Sequence, residues 1–420
     1  MWTRRDFLGR AGAAGLATIH ADGLPRLLQA TQAVAGRSAD DVARDESYWR
    51  EVQQAFTLDR TIINLNNGGV CPSPRAVHDA LKRYLDMSNQ VPAYYMWEVL
   101  EPNIEGVRRA LAADVGVDAD CLAVTRNASE ALQIAQLGLD LKPGDEVLTT
   151  NQDYPRMLRT WEQREQRDRI RVTRLAFPVP ASQRDLVRRF EQAITPATRV
   201  MHFCHITNLT GQIFPVRELC ALARSRGITS IVDGAHAYAH FPFRIPDFDP
   251  DFYGTSLHKW LLAPVGTGFL YVRRDRIAAH WPLTPGGGAT IRKFEEIGTH
   301  PAANHNAIAE ALTFHHGIGI ERKAARLRYL KERWATPLKS HPRCRLLTSL
   351  AAADSCAIGT VGVQGIPAGQ VSSRLWSERR ILATPITHEE FNGVRITPNV
   401  YTTLGEIDVF VAALDAIART

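Results

Sequence analysis

The sequence predicts an α/β protein with a mostly parallel sheet, helices on both faces of it, and a smaller α+β domain at the C-terminal end. From about residue 60 to residue 275, short apolar runs alternate with stretches of helical periodicity, the pattern of a parallel sheet. After about residue 300 the pattern changes to helices followed by short strands that helices frame. With 420 residues, 45% of them hydrophobic, the chain can bury such cores without disulfides or a structural metal.

The stretch from residue 228 to residue 272 organises the chain. An apolar run at 228–232 predicts a buried strand, and Asp233 follows at its end, where open α/β sheets bind ligands. Further along, Lys259 lies in apolar sequence and precedes a Gly-rich turn and another strand. A lysine that forms a Schiff base and a carboxylate that keeps a pyridine nitrogen protonated are the groups that a pyridoxal phosphate (PLP) enzyme needs. Taken alone, Lys259 could be a surface lysine and Asp233 a helix-capping aspartate. An unpaired buried ammonium is costly, however, so the apolar sequence around Lys259 favours the PLP interpretation.

The segments that contain these two residues, DGAHA and SLHKW, are similar to the class V aminotransferases of fold type I. That group contains the cysteine desulfurases and the isopenicillin N epimerase-like proteins, and the resemblance extends over several motifs from about residue 64 to residue 401. It implies the PLP-dependent transferase fold of type I, with a large domain built on a mostly parallel seven-stranded sheet, and PLP as cofactor. It also implies that Lys259 binds PLP, that Asp233 pairs with the ring nitrogen and that His236 lies by the ring oxygen. Ser256 and His258 match positions that bind the phosphate in relatives.

Further cofactor contacts are expected at three turns that follow predicted strands. The turn TRNASE leads into a helix, which places backbone N–H groups and the helix dipole at one anion-binding point. The resemblance assigns phosphate binding to Asn127, Ala128 and Ser129, and an ordinary helix cap is the alternative. Tyr154 matches the ring that stacks on PLP, with a plain loop tyrosine as the alternative. Asn208, in TNLTG, matches the asparagine that donates to the phenolate oxygen.

Substrate contacts are expected at the LNNGG turn and at an arginine near the C-terminus. Asn66 and Asn67 are candidates, although Asn and Gly together are also ordinary turn residues. Arg395 matches the arginine that binds the substrate α-carboxylate, a contact that suits a bidentate guanidinium; a surface ion pair is the alternative. Thr299, in EEIGT, matches the threonine that reaches the phosphate of the neighbouring subunit, which implies a homodimer with shared active sites.

The reaction is predicted from residues 383–392. A cysteine desulfurase needs a nucleophilic cysteine on the loop before Arg395, and this segment, ATPITHEEFN, contains none. The whole-chain pattern is most similar to the isopenicillin N epimerase-like branch. We therefore expect chemistry on the α-amino group of an amino acid or of an amino-acid part of a peptide, with a periplasmic peptide or siderophore precursor as one hypothesis. An aminotransferase with a keto-acid acceptor, a desulfurase or lyase, and a non-catalytic relative that binds a ligand are the alternatives.

The first residues predict export from the cytoplasm. Arg4 and Arg5, followed closely by Phe7 and Leu8, resemble a twin-arginine signal, and an amphipathic helix is the alternative. Candidate cleavage sites lie at residues 33–35 and, less convincingly, near residue 21. The expected organisation is a signal at 1–35, an N-terminal arm at 36–60, a large PLP-binding domain at 61–300 and a small domain at 301–420, in a periplasmic or secreted protein.

Composition limits the other function classes. The net charge of +6 is not concentrated in a long Lys/Arg block, which argues against a nucleic-acid partner. No run after the signal is apolar and long enough to span a bilayer, so the mature protein is expected to have no membrane span. None of the six cysteines forms a C-x-x-C pair, so we expect no metal site and favour buried free thiols over disulfides.

Overall fold

The computed structural model describes residues 23–286 and 288–420. Thirteen strands occur in these ranges, and nearly all are short. In chain order they are β1 (Ile63–Asn64), β2 (Leu122–Thr125), β3 (Glu146–Thr150), β4 (Arg171–Leu175), β5 (Thr198–Cys204), β6 (Thr229–Asp233), β7 (Phe252–Ser256), β8 (Gly268–Val272), β9 (Cys344–Leu346), β10 (Gly359–Val363), β11 (Ile381–Leu382), β12 (Thr384–Thr387) and β13 (Asn392–Ile396).

Sixteen α-helices surround these strands in the described ranges. They are α1 (Gly23–Ala33), α2 (Ala39–Ala43), α3 (Glu46–Gln54), α4 (Arg75–Gln90), α5 (Pro92–Tyr94), α6 (Glu101–Val115), α7 (Ala128–Leu137), α8 (Pro155–Asp168), α9 (Gln183–Ala193), α10 (Val216–Ser225), α11 (Arg274–Ile277), α12 (Ala302–Asn306), α13 (Ile308–Ile318), α14 (Ile320–Lys339), α15 (Ala368–Arg379) and α16 (Leu404–Ala418). A π-helix (Tyr95–Leu100) joins α5 to α6, and 3-10 turns lie at Ala119–Cys121, Ile245–Asp247 and Ile291–Phe294.

Seven strands form the main sheet, in the order β2-β8-β7-β6-β5-β3-β4. Every neighbouring pair is parallel except the two that β8 makes with β2 and β7. All residues of β6, β7 and β8 are buried except the first of β6, whereas the edge strand β4 exposes Arg171 and Arg174. Continuous apolar runs form the central strands because helices cover both faces of a parallel sheet. The predicted mostly parallel seven-stranded sheet of fold type I is confirmed.

A second, smaller core lies against an antiparallel sheet of order β12-β13-β10-β9. Trp334 of α14 and Phe410 of α16 pack edge to face in this core, with ring centroids 6.0 Å apart. Strand β1 pairs in parallel with β11, and Leu65 is fully buried in the same small core. Residues 61–65, which the sequence analysis assigns to the large domain, therefore pack with the small one.

Residues 24–34, part of the predicted signal, and the predicted arm at 36–60 both contribute buried residues to the main core. Leu24, Leu27 and Val34 are buried there, and the Thr31 hydroxyl donates to the carbonyl of Gly317 at 2.7 Å. Between residues 36 and 60 the chain forms two helices, α2 and α3, and Asp45 caps α3 by accepting from backbone N–H groups. The twin-arginine segment itself, within residues 1–22, lies outside the described residues.

Two further observations bear on location and chemistry. In the described ranges, no helix combines the length and the hydropathy that a bilayer crossing requires. All six cysteines are free; five are buried and Cys344 is partly exposed, which agrees with the expected free thiols.

Candidate active site

Five of the predicted site residues come from loops at one edge of the main sheet. Asn127 follows β2, Tyr154 follows β3, Asn208 follows β5, Asp233 ends β6 and Lys259 follows β7. Strands β2 and β7 are both antiparallel to β8 and so run in the same direction as β3, β5 and β6. The carboxyl ends of these strands meet at one edge, where open α/β sheets bind ligands.

The amine of Lys259 lies against the ring of His236, with Nζ and Nε2 3.0 Å apart. Burial lowers the pKa of Lys259 to about 8, Asp233 acts in the opposite direction, and Arg395 adds to the lowering. Burial also holds the pKa of His236 well below its usual range, so that ring is neutral. Its Nε2 therefore accepts from Lys259 Nζ, and its Nδ1 carries a proton for which the described residues offer no acceptor.

Asp233 is 4% exposed at the end of β6, and one carboxylate oxygen accepts from the Ala235 N–H at 2.9 Å. Burial raises the pKa of Asp233 to about 6, although the Ala235 N–H and the charge of Lys259 oppose that rise. A buried carboxylate with a raised pKa is a strong partner for a cation that enters the site. The structure thus places an acid where a ring nitrogen can be held protonated.

The TRNASE turn leads into the N-terminus of α7, and its role in phosphate binding stays a prediction. Asn127 caps α7 by accepting from the Glu130 N–H at 2.9 Å, and the Ala128 N–H donates to the Ser256 hydroxyl oxygen at 3.0 Å. The turn can lie this close to β8 because residue 268 is glycine: a Cβ there would be 2.7 Å from Asn127 Cα. The Ser256 hydroxyl, buried beside the first turn of α7, has its own proton available for a phosphate oxygen.

Arg395 reaches this edge from the small-domain sheet. Its guanidinium donates to the Asn208 carbonyl at 2.9 Å, to Asn66 Oδ1 at 2.9 Å and to the Thr384 hydroxyl at 3.3 Å. Burial lowers the pKa of Arg395 to about 10. Its Nε and the Asn208 side-chain oxygen are buried and have no partner among the described residues. These free polar atoms are available to a ligand.

The two asparagines of the LNNGG turn have different surroundings. Asn66 contacts Arg395 and Thr384 at the site. Asn67 is fully buried, donates to the carbonyls of Thr397 and Asn64, and accepts from Tyr401. Its amide therefore holds the turn in place, and the expectation that Asn67 contacts substrate is corrected: its polar atoms already have protein partners.

The remaining predicted residues lie at the rim of the site or outside it. Tyr154 is 37% exposed at the start of α8, and Ser129 is half-buried in the first turn of α7. His258 is half-buried, burial lowers its pKa to about 4, and its Nδ1 has no partner among the described residues. Thr299 is exposed on the segment before α12, and in the described ranges no hydrogen bond joins it to the other site residues. Its expected role in a neighbouring subunit stays a prediction.

Sequence reasoning missed two residues of the site. Asp153 is 2% exposed and accepts from Thr149 and twice from Thr150, at 2.7–2.9 Å, which fixes the backbone just before Tyr154. The Thr-Thr-x-x-Asp pattern at a strand end was a usable signal for it. Thr384 bridges Asn66 and Arg395, and its sequence carries no such signal because its partners come from distant segments.

Several unpaired polar atoms at the site test whether PLP fits it. Buried polar atoms without partners are rare in folded proteins. Here four gather around Lys259: Nδ1 of His236, Nδ1 of His258, Nε of Arg395 and Oδ1 of Asn208. The set also includes a buried acid, a lysine with a lowered pKa and a helix N-terminus with a serine hydroxyl. These are the groups that a ring nitrogen, an aldehyde and a phosphate require, so the residues present fit PLP.

A model of the family described as aminotransferase class-V matches residues 63–383. The chain belongs to the class-V aminotransferase family. It is 30% identical over 394 residues to isopenicillin N epimerase of Streptomyces clavuligerus, covering 88% of this chain and 98% of that protein. It is also 28% identical over 290 residues to a probable cysteine desulfurase of Methanothermobacter thermautotrophicus, covering 65% and 71%.

The fold of this class-V enzyme matches a solved structure of the same architecture. A mutant of C-DES with glycine covalently linked to the PLP cofactor superposes with a TM-score of 0.77 at 23% identity, covering 86% of this chain and 99% of that chain. Together with the family and the site, this similarity indicates PLP as the cofactor. The protein is a PLP-dependent enzyme of fold type I.

Asp233→Asn is expected to stabilise the PLP-free protein at neutral pH. The pKa of Asp233 is about 6 in the folded chain, whereas the ordinary pKa of an aspartate, as in the unfolded chain, is 3.8. The folded chain therefore binds the extra proton between these pH values, and its stability falls as the pH rises from about 4 to about 6. Above pH 6 the charged form costs up to about 3 kcal/mol, which the variant avoids.

Denaturant unfolding of parent and variant at pH 4 and pH 8 measures this difference, which should appear at pH 8 and nearly vanish at pH 4. The exposed Asp120→Asn should change neither value. The same Asp233→Asn protein should lose several orders of magnitude in PLP-dependent rate. Equal stability changes at the two pH values would contradict the raised pKa.

Proposed function

We propose that this enzyme acts at the α-carbon of an amino acid, or of an amino-acid part of a peptide, in the manner of the isopenicillin N epimerase-like branch. The observation that carries the proposal is Arg395. Its buried guanidinium keeps Nε free and is close enough to Lys259 and His236 to lower the pKa of both. A carboxylate bound there brings an amino acid to the amine of Lys259.

The chain's own residues perform binding and proton transfer in this proposal. Bound PLP supplies an electron sink that makes the proton on the α-carbon acidic. Arg395 holds the substrate carboxylate and fixes which substituent points toward Lys259. With its pKa near 8, Lys259 is neutral often enough at neutral pH to take a proton and return it. Neutral His236 accepts from Nζ and keeps the amine in position.

The cysteines support this choice over desulfuration. Two cysteines, Cys71 and Cys204, interact with Lys259 through their charges. Burial raises the pKa of Cys71 to about 12 and holds that of Cys204 well above its usual range, which leaves two inert thiols. Cys344 lies on β9 in the small-domain sheet. The turn between β12 and β13 contains His388 and Glu389 instead of a cysteine, and both bond to Asn151 at 3.1 Å. That turn closes against the loop of Tyr154 and carries no nucleophilic sulfur.

Exchange of the α-proton for deuterium distinguishes the proposal from its alternatives. The holoenzyme in deuterium oxide should exchange the α-proton of an accepted amino acid, followed by mass spectrometry, without any keto acid. An aminotransferase would instead convert PLP to pyridoxamine phosphate and turn over only after a keto acid is added. Release of sulfide from cysteine with no exchange in other amino acids would contradict the proposal.

Arg395→Lys should weaken binding of α-carboxylates selectively. Lysine keeps the charge but loses the bidentate contact, so the KM for an amino acid should rise about 100-fold, the loss of roughly 3 kcal/mol of charge-assisted hydrogen bonding. A matched amine without the carboxylate should bind parent and variant equally, as measured by the change in PLP absorbance. If both ligands weakened alike, Arg395 would be a general structural residue.

We extend the proposal to export and processing. The Arg4-Arg5 pair supports a twin-arginine route, because a protein that carries PLP must cross the membrane folded. Since Leu24, Leu27 and Val34 are buried, cleavage at 33–35 would remove core residues, and we place it before Gly23. N-terminal sequencing of the exported protein should find a start at or before residue 23, and Arg4→Lys with Arg5→Lys should retain it in the cytoplasm. A mature protein that starts at residue 36 would refute this placement.

The proposal includes a homodimer. Val91, just before α5, Tyr94 at the end of α5 and Trp97 on the adjoining π-helix are 54%, 55% and 52% exposed, an apolar face suited to a second copy. Exposed Thr299 is then free to reach the partner's site. Sedimentation should show a dimer that Trp97→Glu dissociates and Val409→Glu, on α16, does not. A monomeric parent protein would contradict it.

A further inference from the structure

A second histidine, His240, contacts three segments of the chain that contain or adjoin residues of the active site. His240 is fully buried, seven residues after Asp233. Its Nδ1 is 2.7 Å from the His236 carbonyl oxygen, and its Nε2 is 2.9 Å from the Ala357 backbone nitrogen. Its ring stacks on Trp260, with centroids 3.7 Å apart and planes within 7°. The reaction proposed for the active site assigns no role to His240.

The partners fix the tautomer of His240. A backbone N–H can only donate, so Nε2 must accept from Ala357 and carries no proton. Nδ1 therefore bears the hydrogen and donates to the His236 carbonyl. Burial, with the charges of Arg328, Lys323 and Lys331, holds the pKa of His240 well below its usual range. The ring is thus a neutral donor and acceptor in one fixed orientation.

Each of the three partners belongs to an element of the active site. His236 is the residue whose ring contacts Lys259, and Trp260 is the next residue after Lys259. Lys323, itself fully buried, donates to the Trp260 carbonyl and holds it from the other side. Ala357 lies just before β10, beside Ile358, whose carbonyl packs on Gly211 of the Asn208 loop so closely that a Cβ there would be 2.2 Å away.

We propose that His240 is a positioning residue that sets the contact between His236 Nε2 and Lys259 Nζ. Its Nδ1–H fixes the backbone of His236, its ring fixes the backbone beside Lys259 through Trp260, and Ala357 fixes the ring. Losing the Nδ1 bond frees His236 to turn away from Nζ, while the bond at Nε2 ties the ring to the segment before β10. The proposal holds whichever reaction the enzyme catalyses.

Loss of the contact between His236 and Lys259 should change the pH at which the Lys259 nitrogen loses its proton. Asp233, Arg395, Cys71 and Cys204 also shift the pKa of Lys259 through their charges, and Lys259 interacts in the same way with His258. The hydrogen bonds of the His240 ring involve none of these five residues. Removing an acceptor beside a cationic nitrogen disfavours its protonated form. The loss of one hydrogen bond to a charged group should move the titration down by about one pH unit or somewhat more.

A matched pair of substitutions at His240 tests this proposal. The side-chain amide of asparagine lies near the Nδ1 position of histidine, and the side-chain amide of glutamine lies near the Nε2 position. His240→Asn keeps the donor to His236, and His240→Gln keeps only the acceptor for Ala357. The readout is the pH midpoint at which the absorbance of Lys259-bound PLP changes in the holoenzyme. We expect the Gln variant to shift down by about one unit and the Asn variant to stay near the parent.

His280→Asn is the control for loss of a buried histidine bond elsewhere, since His280 Nε2 is 2.8 Å from the Ile134 carbonyl oxygen. It should lower thermal stability without moving the midpoint. A Gln variant that fails to retain PLP while the Asn variant retains it also supports the proposal. Equal midpoints in the two His240 variants, or loss of PLP in both, would overturn it.

Discussion

The removal of the Lys259 amine from water is the constraint on which the site depends. Burial is the largest cause of the lowered pKa of Lys259 and of the raised pKa of Asp233, and their mutual attraction only partly offsets it. In the described part of the chain the two groups form no direct ion pair. Asp233 therefore keeps an unsatisfied preference for a cationic partner, which a protonated ring nitrogen satisfies, while the amine of Lys259 is available to an aldehyde. The burial that disfavours the charged form of Asp233 thus also favours a ligand with a cationic ring nitrogen.

The substrate end of the site exists only because two cores meet. Arg395 lies on a strand of the small domain, yet its guanidinium bonds to the Asn208 loop of the large domain and to Asn66. Gly68 permits this approach, since a Cβ there would be 3.3 Å from the guanidinium carbon. Asn67 anchors the same turn to the small-domain sheet through Thr397.

The sequence predicted the parts of the fold and site that depend on local patterns. Buried strands such as β6 and β7 appear as continuous apolar runs, and the residues at their ends follow from strand direction. Local patterns cannot show which way a turn side chain points, so Asn67 gave the same signal whether it faced a ligand or the interior. Pairing of β1 with β11 joins segments more than 300 residues apart, which no local pattern predicts. His240 resembled any histidine in an apolar stretch until its three partners were in place.

Reduction of the holoenzyme with borohydride, followed by peptide mass mapping, tests the central claim most directly, because it reports which amine carries PLP. The account predicts one modified residue, Lys259, with loss of the label in Lys259→Ala and retention in Lys82→Ala, whose amine is on the surface. A label on another lysine, or a Lys259→Ala protein that still binds PLP covalently and works at the parent rate, would contradict it.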